Sequence, residues 1–517
     1  MEACDKYYEI NMTRDSIDAP PLIESRYATE LRRALKDKDL QEILQGDVGV
    51  FSLRYLFINE YTNYITFLKS NPTYRPTVDS AKSLNSVNVL GLIKRIMGEK
   101  KGNQVDFIFI SRNRQVKAKV KSGYIEGDYI FYSVIDELTR RHPECKHQMY
   151  IIDDSYDKYY YLTVQDVVSS LNIAFKSVLK WNLFKKRILK RLEASDCSHL
   201  AEVASYFFHP RTFLRIILMG YSMANMLSMM SPKVIVSNDD CMYTKPLNSD
   251  GKMVILQSAS IVRDAEECRA LIFGDSRMQP DLFLCSGSES AEIKAKASVA
   301  RTVIITGQPR YDILFNIHML YSKKDFLKRY SIKQEQKIVL WTTQTHGFSR
   351  EENCENLEAI FGAIQGLHGV TLIIKQHPAE TEAHTALINE FLERYDVNAI
   401  LTPKDSDTYE QLFVCDLMIT KHSTTAIEAI AIDKSVIILN LSKEPNIVDY
   451  VSERVAVGVY EKKDLRAAII GLFKDDGELR KNREAYLEKH IFKIDGKATE
   501  RVINVIEKTI ANQEHQL

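Results

Sequence analysis

Short apolar runs recur through most of this 517-residue chain at intervals that suit the strands of a parallel sheet. Residues 233–237 (KVIVS), 253–257 (MVILQ), 282–285 and 302–306 form one series, each run followed by polar or helix-like sequence. Runs without polar alternation, separated by crossover-length segments, mark strands buried on both faces. Upstream, residues 105–111, a helix-like stretch at 132–141 and another run at 148–153 carry the alternation toward the N-terminus. A second series begins at 337–342 (KIVLWT) and continues through 370–375 (VTLIIK), 417–420, 436–440 and 455–459. Between them stands Gly307-Gln308-Pro309-Arg310-Tyr311-Asp312, a turn by composition. The expectation is an α/β protein of two doubly wound domains facing a cleft, at 101–310 and 311–490, with a helical N-terminal extension at 1–100 and a closing helix within 491–517.

Much of the remainder reads as helix. Residues 31–44 and 91–97 have helical spacing, with Asn71-Pro72 and Arg75-Pro76 marking an irregular link. Residues 178–192 combine apolar positions with a face carrying Lys180, Lys185, Lys186, Arg187, Lys190 and Arg191. Two readings stand for it: an exposed helix with one face on the core, or a peripheral membrane contact through 178–192 anchored by Trp181 and Phe184. Residues 212–230, the longest apolar stretch, are interrupted by Arg215 and small polar residues and read as a buried helix.

Composition narrows the class. Hydrophobic residues make up 45% and charged residues 27%, as in a soluble protein of several domains. Lys plus Arg equals Asp plus Glu at 69 each, so nothing pulls the whole molecule toward nucleic acid. The eight cysteines are scattered without C-x-x-C pairs, which implies a reducing compartment and no structural metal. The N-terminal sequence lacks the apolar core of a secretory signal, and the expected location is the cytoplasm, peripheral at the inner face of the membrane.

Candidate chemistry concentrates in residues 399–441. Lys421-His422-Ser423-Thr424-Thr425 stands where a short strand hands over to a helix, the end of an open sheet where ligands collect. Its hydroxyls and backbone N–H groups suit a phosphate; alternatively, Thr425 and Glu428 have the spacing of a capping box, which needs no ligand. Asp405-Ser406-Asp407 has the spacing of a divalent-ion motif, yet it precedes a helical run, where Asp407 is an expected N-cap. The P-loop, zincin, nucleophile-elbow and dinucleotide-binding patterns are all missing from the sequence.

Three features converge on a family. Lys375-Gln376-His377-Pro378 follows an apolar strand; His422 to Thr425 follows another; Gly307 to Asp312 joins the two series. A strand ending in K-x-H-P, an aspartate-led helix running to 420, Ser423-Thr424 with Glu428-Ala429, then an apolar strand, resembles the inverting, metal-independent GT-B glycosyltransferases of surface polymers. The likeness is best to CDP-glycerol glycerophosphotransferases, capsule polysaccharide transferases and bacterial sialyltransferases. It covers residue 233 onward and includes Asp495-Gly496-Lys497-Ala498, which resembles the opening of that family's final helix, packed back toward the first domain.

That resemblance implies two Rossmann-like domains and a nucleotide-activated sugar or CDP-alcohol as substrate, with no cofactor. The acceptor would be a carbohydrate or lipid-linked glycan. His377 would contact the donor phosphate and steady the departing nucleotide, beside Lys375 and Pro378. His422, Ser423, Thr424 and Thr425 would bind the same phosphate, and Glu428 the ribose. Many relatives place a histidine base after the strand at 253–257, where this chain has Gln257-Ser258-Ala259-Ser260. The next candidates for a base are Asp239 and Asp240, with Gln257, Ser258, Arg310 and His346 as further cleft residues. Competing expectations are a non-hydrolysing UDP-GlcNAc 2-epimerase-like enzyme and a non-catalytic nucleotide-binding module with a degenerate acceptor site.

Overall fold

The structure, a computed structural model, describes residues 7–9, 26–70, 104–111, 115–120, 123–151, 161–194, 198–239, 241, 245–247, 249–258, 278–344, 348–378, 380–443 and 448–514. The chain divides into two compact units: residues 1–114, 128–306 and 500–517 in one, 115–127 and 307–499 in the other.

The first unit is built on six parallel strands in the spatial order Thr302–Ile305, Leu282–Cys285, Lys252–Leu256, Val234–Asn238, Phe107–Ser111, His147–Ile151. A seventh strand, Tyr7–Glu9, pairs antiparallel with the Thr302–Ile305 edge, Tyr7 opposite Ile304. Strand order reverses between Phe107–Ser111 and Val234–Asn238, which pair with Phe107 opposite Val234. The carboxyl ends of these two strands therefore form the switch point of this sheet. There Ser111 hydrogen-bonds the buried Asp128, whose other oxygen accepts the N–H groups of Ile130 at 2.9 Å and Phe131 at 3.1 Å.

Helices cover the first sheet and extend beyond it. The helix expected at 31–44 is two, Arg26–Leu35 and Lys38–Ile43, because Asp37 turns its carboxylate onto the Leu40 N–H at 3.0 Å and caps the second. The helix expected at 91–97 lies outside the described residues. The expected 178–192 helix is the C-terminal half of a longer one, Val164–Ala194.

Trp181, expected as a membrane anchor, is buried and stacks on Phe208 with ring centroids 4.8 Å apart. Phe207 and Phe213 complete that aromatic cluster. Phe184, the other expected anchor, is half-buried, with the Arg187 guanidinium 4.9 Å from its ring. Part of the basic face is neutralised within the fold: Lys180 meets Glu42 at 3.0 Å, Arg187 meets Asp39 at 3.1 Å, and Arg191 meets Asp37 at 2.6 Å. Pro210–Met230 is the one helix among the described residues long and apolar enough to cross a membrane, and 56% of its apolar window is buried inside the protein.

The second unit carries a six-stranded parallel sheet in the order Ala399–Leu401, Val370–Lys375, Lys337–Thr342, Leu417–Thr420, Ser435–Leu439, Val457–Val459. Numbered along the chain, that order is 3-2-1-4-5-6, the doubly wound arrangement of dinucleotide-binding sheets. Separate apolar clusters fill its two faces: Ile338, Leu340, Met418 and Val436 side with Leu412, Ile427 and Ile430, while Val339, Leu372, Ile374 and Ile437 side with Leu357, Ile360 and Ile469. Such two-sided burial is why these strands read as continuous apolar runs. Residues 115–120 and 123–128 form a two-stranded sheet that the polar sequence did not announce. Within this unit Lys119 sets its ammonium 4.8 Å from the Tyr321 ring centroid.

The turn after Gly307 has a structural task. Asp312 accepts the N–H groups of Ala498 and Thr499, each at 2.8 Å, at the start of the closing helix Ala498–Glu514. The preceding Gly496 has φ +69°, and a β-carbon there would stand 2.9 Å from Phe315, so both conformation and space demand glycine. Further along, Val502, Ile503 and Ile506 pack with Phe107, Val234 and Leu284 in the core of the first unit.

Candidate active site

The second sheet reverses its order between Lys337–Thr342 and Leu417–Thr420, whose register places Trp341 opposite Ile419. A crevice must open beyond the carboxyl ends of two strands whose crossovers leave in opposite directions. Here it is lined by Trp341, Thr342, Gln344, Phe348, Asn353, Asn356, Thr420, Lys421 and Leu439. Gln344 organises it. Its Oε1 accepts the N–H of His422 at 3.0 Å and of Lys421 at 3.3 Å, with the Thr420 hydroxyl at 3.4 Å. Lys421 sends its ammonium to Ser442 Oγ at 2.9 Å and lies 4.4 Å from the Phe348 ring centroid.

The hydroxyl run then turns into the helix Thr425–Ala431. Ser423 Oγ accepts the Thr425 N–H at 3.2 Å and shares a 2.7 Å hydrogen bond with Thr425 Oγ1, while the Ser423 carbonyl accepts the Tyr450 hydroxyl at 3.2 Å. The capping box suggested by Thr425 and Glu428 does not form: the N-cap is Thr424, which makes no side-chain cap bond, and Glu428 is turned inward. The physical reason is the tight Ser423 turn, which makes Thr425 the first helical residue instead of the cap. Among the described residues, the adjacent N–H groups of Ser423 and Thr424 and the Thr424 hydroxyl take no hydrogen-bond partner. Both residues are half-buried at the strand end, and donors so placed suit an anion.

His377 follows the neighbouring strand, Val370–Lys375, and is exposed together with Pro378. Its backbone N–H donates to Thr343 Oγ1 at 3.3 Å, and Thr343 Oγ1 donates to Glu380 at 2.7 Å. Gln376 adds bonds to Glu380 at 3.2 Å and Thr385 at 3.1 Å, so the loop carrying His377 is pinned from beneath. Lys375 does not reach outward. It is buried and donates to the carbonyls of Lys404 at 2.6 Å and Gln376 at 3.0 Å, and burial lowers its pKa from the ordinary lysine value. Its ammonium thereby ties together the two loops that flank His377.

Glu428 and Arg310 lie inside the second unit. Glu428 accepts the Tyr409 hydroxyl at 3.3 Å; burial raises its pKa, opposed by the Arg310 charge and by Tyr409. Arg310 donates to the Tyr311 hydroxyl at 2.6 Å. Asp407 performs the capping expected of it, accepting from Tyr409 N–H at 2.9 Å and Glu410 N–H at 3.4 Å, and it also receives the Tyr321 hydroxyl at 2.5 Å.

In the first unit, Asp239 stands just past the Val234–Asn238 strand at that sheet's own switch point. It accepts both the N–H of Ser258, at 2.7 Å, and its hydroxyl, at 2.5 Å. The residue found in place of the expected histidine thus holds the candidate base. Gln257 is structural: its amide accepts the Ser286 N–H and donates to Ser290, both at 2.9 Å, fixing the strand end to the next helix. Asp240 and His346 lie outside the described residues. Sequence reasoning passed over Thr343, Gln344 and Phe348, although Trp341-Thr342-Thr343-Gln344 offered a signal, a hydroxyl and amide run after a buried strand.

Each of the two units thus carries its own doubly wound, Rossmann-like parallel sheet. Residues 269–508 match the family described as CDP-Glycerol:Poly(glycerophosphate) glycerophosphotransferase, and over that segment the chain resembles a transferase. No curated protein sequence matches the chain. Among solved structures, the wall teichoic acid polymerase TagF soaked with CDPG is 11% identical, covering 87% of this chain and 98% of its own, with a TM-score of 0.47. The S. aureus MnaA-UDP co-structure is 12% identical, covers 79% and 97%, and has a TM-score of 0.48. The UDP-GlcNAc 2-epimerase from Neisseria meningitidis bound to UDP-GlcNAc is 12% identical, covers 78% and 99%, and has a TM-score of 0.44.

Proposed function

We propose that the protein is a metal-independent, inverting transferase that moves a sugar or polyol-phosphate unit from a nucleotide-activated donor to a carbohydrate or lipid-linked glycan acceptor in surface-polymer synthesis. The observation that carries this reading is the pair of unpartnered N–H groups on Ser423 and Thr424, beside the crevice at the switch point of the second sheet. The match of residues 269–508 to the glycerophosphotransferase family supports it.

Chemistry follows from charge. As the donor bond breaks, negative charge builds on the departing nucleotide, and fixed donors lower the barrier if they bind that charge better than the ground state. Ser423, Thr424 and Thr425 supply short, preorganised donors, and His377 supplies an imidazole that donates a hydrogen bond or a proton. Gln344 keeps the Lys421–His422 backbone in place, and Lys421 adds positive charge at the crevice. Asp239, oriented by Ser258, is the candidate base for the acceptor hydroxyl.

A calorimetric titration with CMP, CDP, UDP and GDP, followed by assay of the matching activated donor with and without a glycan acceptor, tests this reading. The expected result is tight binding of one nucleotide, weakened at least tenfold by Thr424→Pro, which removes one of the two N–H groups, and transfer that needs acceptor. Binding without turnover would make the chain a nucleotide-binding module. Epimerisation of UDP-N-acetylglucosamine without acceptor would make it an epimerase.

A further inference from the structure

The helix Val164–Ala194 has a second apolar face that the fold leaves uncovered. Ser170, Ala174, Ser177, Trp181, Ile188 and Leu192 form its buried stripe. Around the helix from these run Val164, Val168, Leu171, Phe175, Leu179 and Leu183, spaced three and four residues apart. Their exposures are 58%, 54%, 52%, 69%, 48% and 67%. At about 1.5 Å per residue the ridge extends on the order of 28 Å. Single exposed apolar side chains are ordinary, but a continuous ridge of large ones marks a contact surface.

We propose that this ridge inserts into an anionic lipid surface, with the helix lying in the plane of the interface. Charge selects that occupant. Lys176, Lys185, Lys186 and Lys190 are exposed beside and beyond the ridge, and among the described residues none forms an ion pair. Of the helix's two carboxylates, Asp166 is turned away and accepts from Asn225 at 2.7 Å, and Glu193 is exposed at the C-terminal end, which leaves the ridge's flanks with an excess of positive charge. A second copy packed on the ridge would set these four lysines against its own four, with Glu193 the one exposed acid of the helix to meet them, whereas lipid phosphates would pair with them all. The contact differs from the one the sequence suggested: Trp181 and Phe184 take no part, and Arg187 and Arg191 are held by Asp37 and Asp39. It is independent of the donor site, since all its residues belong to the first unit.

The test is flotation of the full chain with vesicles of phosphatidylcholine alone or with phosphatidylglycerol added, alongside light scattering. The expected result is binding to the phosphatidylglycerol vesicles, reduced at least tenfold by Phe175→Ser/Leu183→Ser and by Lys185→Glu/Lys186→Glu, with nucleotide binding and melting temperature retained. Equal binding to neutral vesicles, or binding that survives both pairs of substitutions, overturns the proposal. So does a dimer that Phe175→Ser/Leu183→Ser dissociates while vesicle binding is absent.

Discussion

Gln344 Oε1 accepts the backbone N–H of His422 at 3.0 Å, so one side chain beyond the first strand of the second sheet fixes the loop beyond its fourth. That bond spans the switch point and sets the path leading into Ser423 and Thr424. Replacing Gln344 with Ala leaves the Lys421 and His422 N–H groups to water. The expected consequence is a loss of about 1 kcal/mol of stability and roughly tenfold weaker nucleotide binding, about 1.4 kcal/mol. Gln344→Glu keeps an acceptor in place but adds negative charge, so it should retain the melting temperature and lose binding. Calorimetry and thermal melts on the two variants separate the roles, and equal binding by both and by wild type would remove Gln344 from the site.

His377 is exposed, while the loop beneath it is pinned through Thr343, Gln376 and Glu380. His377→Ala should therefore leave stability within about 0.5 kcal/mol, as for other surface substitutions, while turnover falls about 100-fold through loss of a hydrogen-bond or proton donor. Thr343→Val should move both quantities, because it removes the hydroxyl that holds the loop. A stopped transferase assay with melting curves distinguishes these outcomes, and undiminished turnover in His377→Ala would take the histidine out of the chemistry.

The apolar runs made most of the fold legible. Strands such as Val370–Lys375 and Lys337–Thr342 are buried on both faces, so their sequences carry no polar alternation to mislead. The split at Asp37 was hidden because a capping aspartate and a surface aspartate look alike until the chain turns. The site was only half legible. His377 and Ser423 stand at strand ends that sequence could place, but whether a side chain faces outward depends on its neighbours. Lys375 turns in to two carbonyls and Glu428 in to Tyr409, bonds between residues distant in sequence. Gln344 was missed because its task is to accept N–H groups from residues 77 and 78 positions away, which no local pattern records.

The pairing of Asp239 with Ser258 gives the first unit its own test. Both hydrogen bonds from Ser258 end on the same oxygen, Oδ1, which fixes the carboxylate plane. Asp239→Asn should abolish transfer to acceptor yet leave nucleotide affinity unchanged, since no residue of the proposed donor seat belongs to that unit. Ser258→Ala keeps the backbone bond and loses the shorter one, and should slow transfer by about tenfold, at the low end for misplacing a catalytic group. Parallel measurement of turnover and affinity decides the point: loss of affinity in Asp239→Asn would show that the residue acts on structure or donor.

Cysteine labelling probes the core of the second sheet. Cys415 is fully buried, its thiol donates to the Leu412 carbonyl at 3.3 Å, and burial pushes its pKa up to about 12. Thiolate is the reactive form, so Cys415 should resist a maleimide at pH 8 while the partly exposed Cys354 labels. Peptide mass spectrometry after labelling with and without urea reads the difference. Labelling of Cys415 in the folded protein at the rate of Cys354 would contradict the packing around Leu412.

Acid stability should carry the mark of Glu137. Its carboxylate accepts from Arg140 at 2.6 Å and 2.8 Å and from Arg141 at 2.7 Å, and these guanidinium groups lower its pKa to about 2 from 4.5, Arg140 contributing most and burial opposing. Because the folded value lies below the unfolded one, the unfolded chain takes up the proton first on acidification. The contribution is therefore complete above about pH 4.5 and is lost as pH falls through about 2. Arg140 is largely exposed, so solvent and salt screen the attraction and keep its contribution small at neutral pH. Arg141 reaches further, to Glu507 of the closing helix at 3.2 Å, which couples the site to that helix's docking. Urea melts of wild type and Glu137→Gln from pH 7 to pH 2 should show a stability gap at neutral pH that narrows below pH 4.5 and shrinks in 1 M salt. A gap that stays constant across that range would assign the effect of the substitution to packing instead of charge.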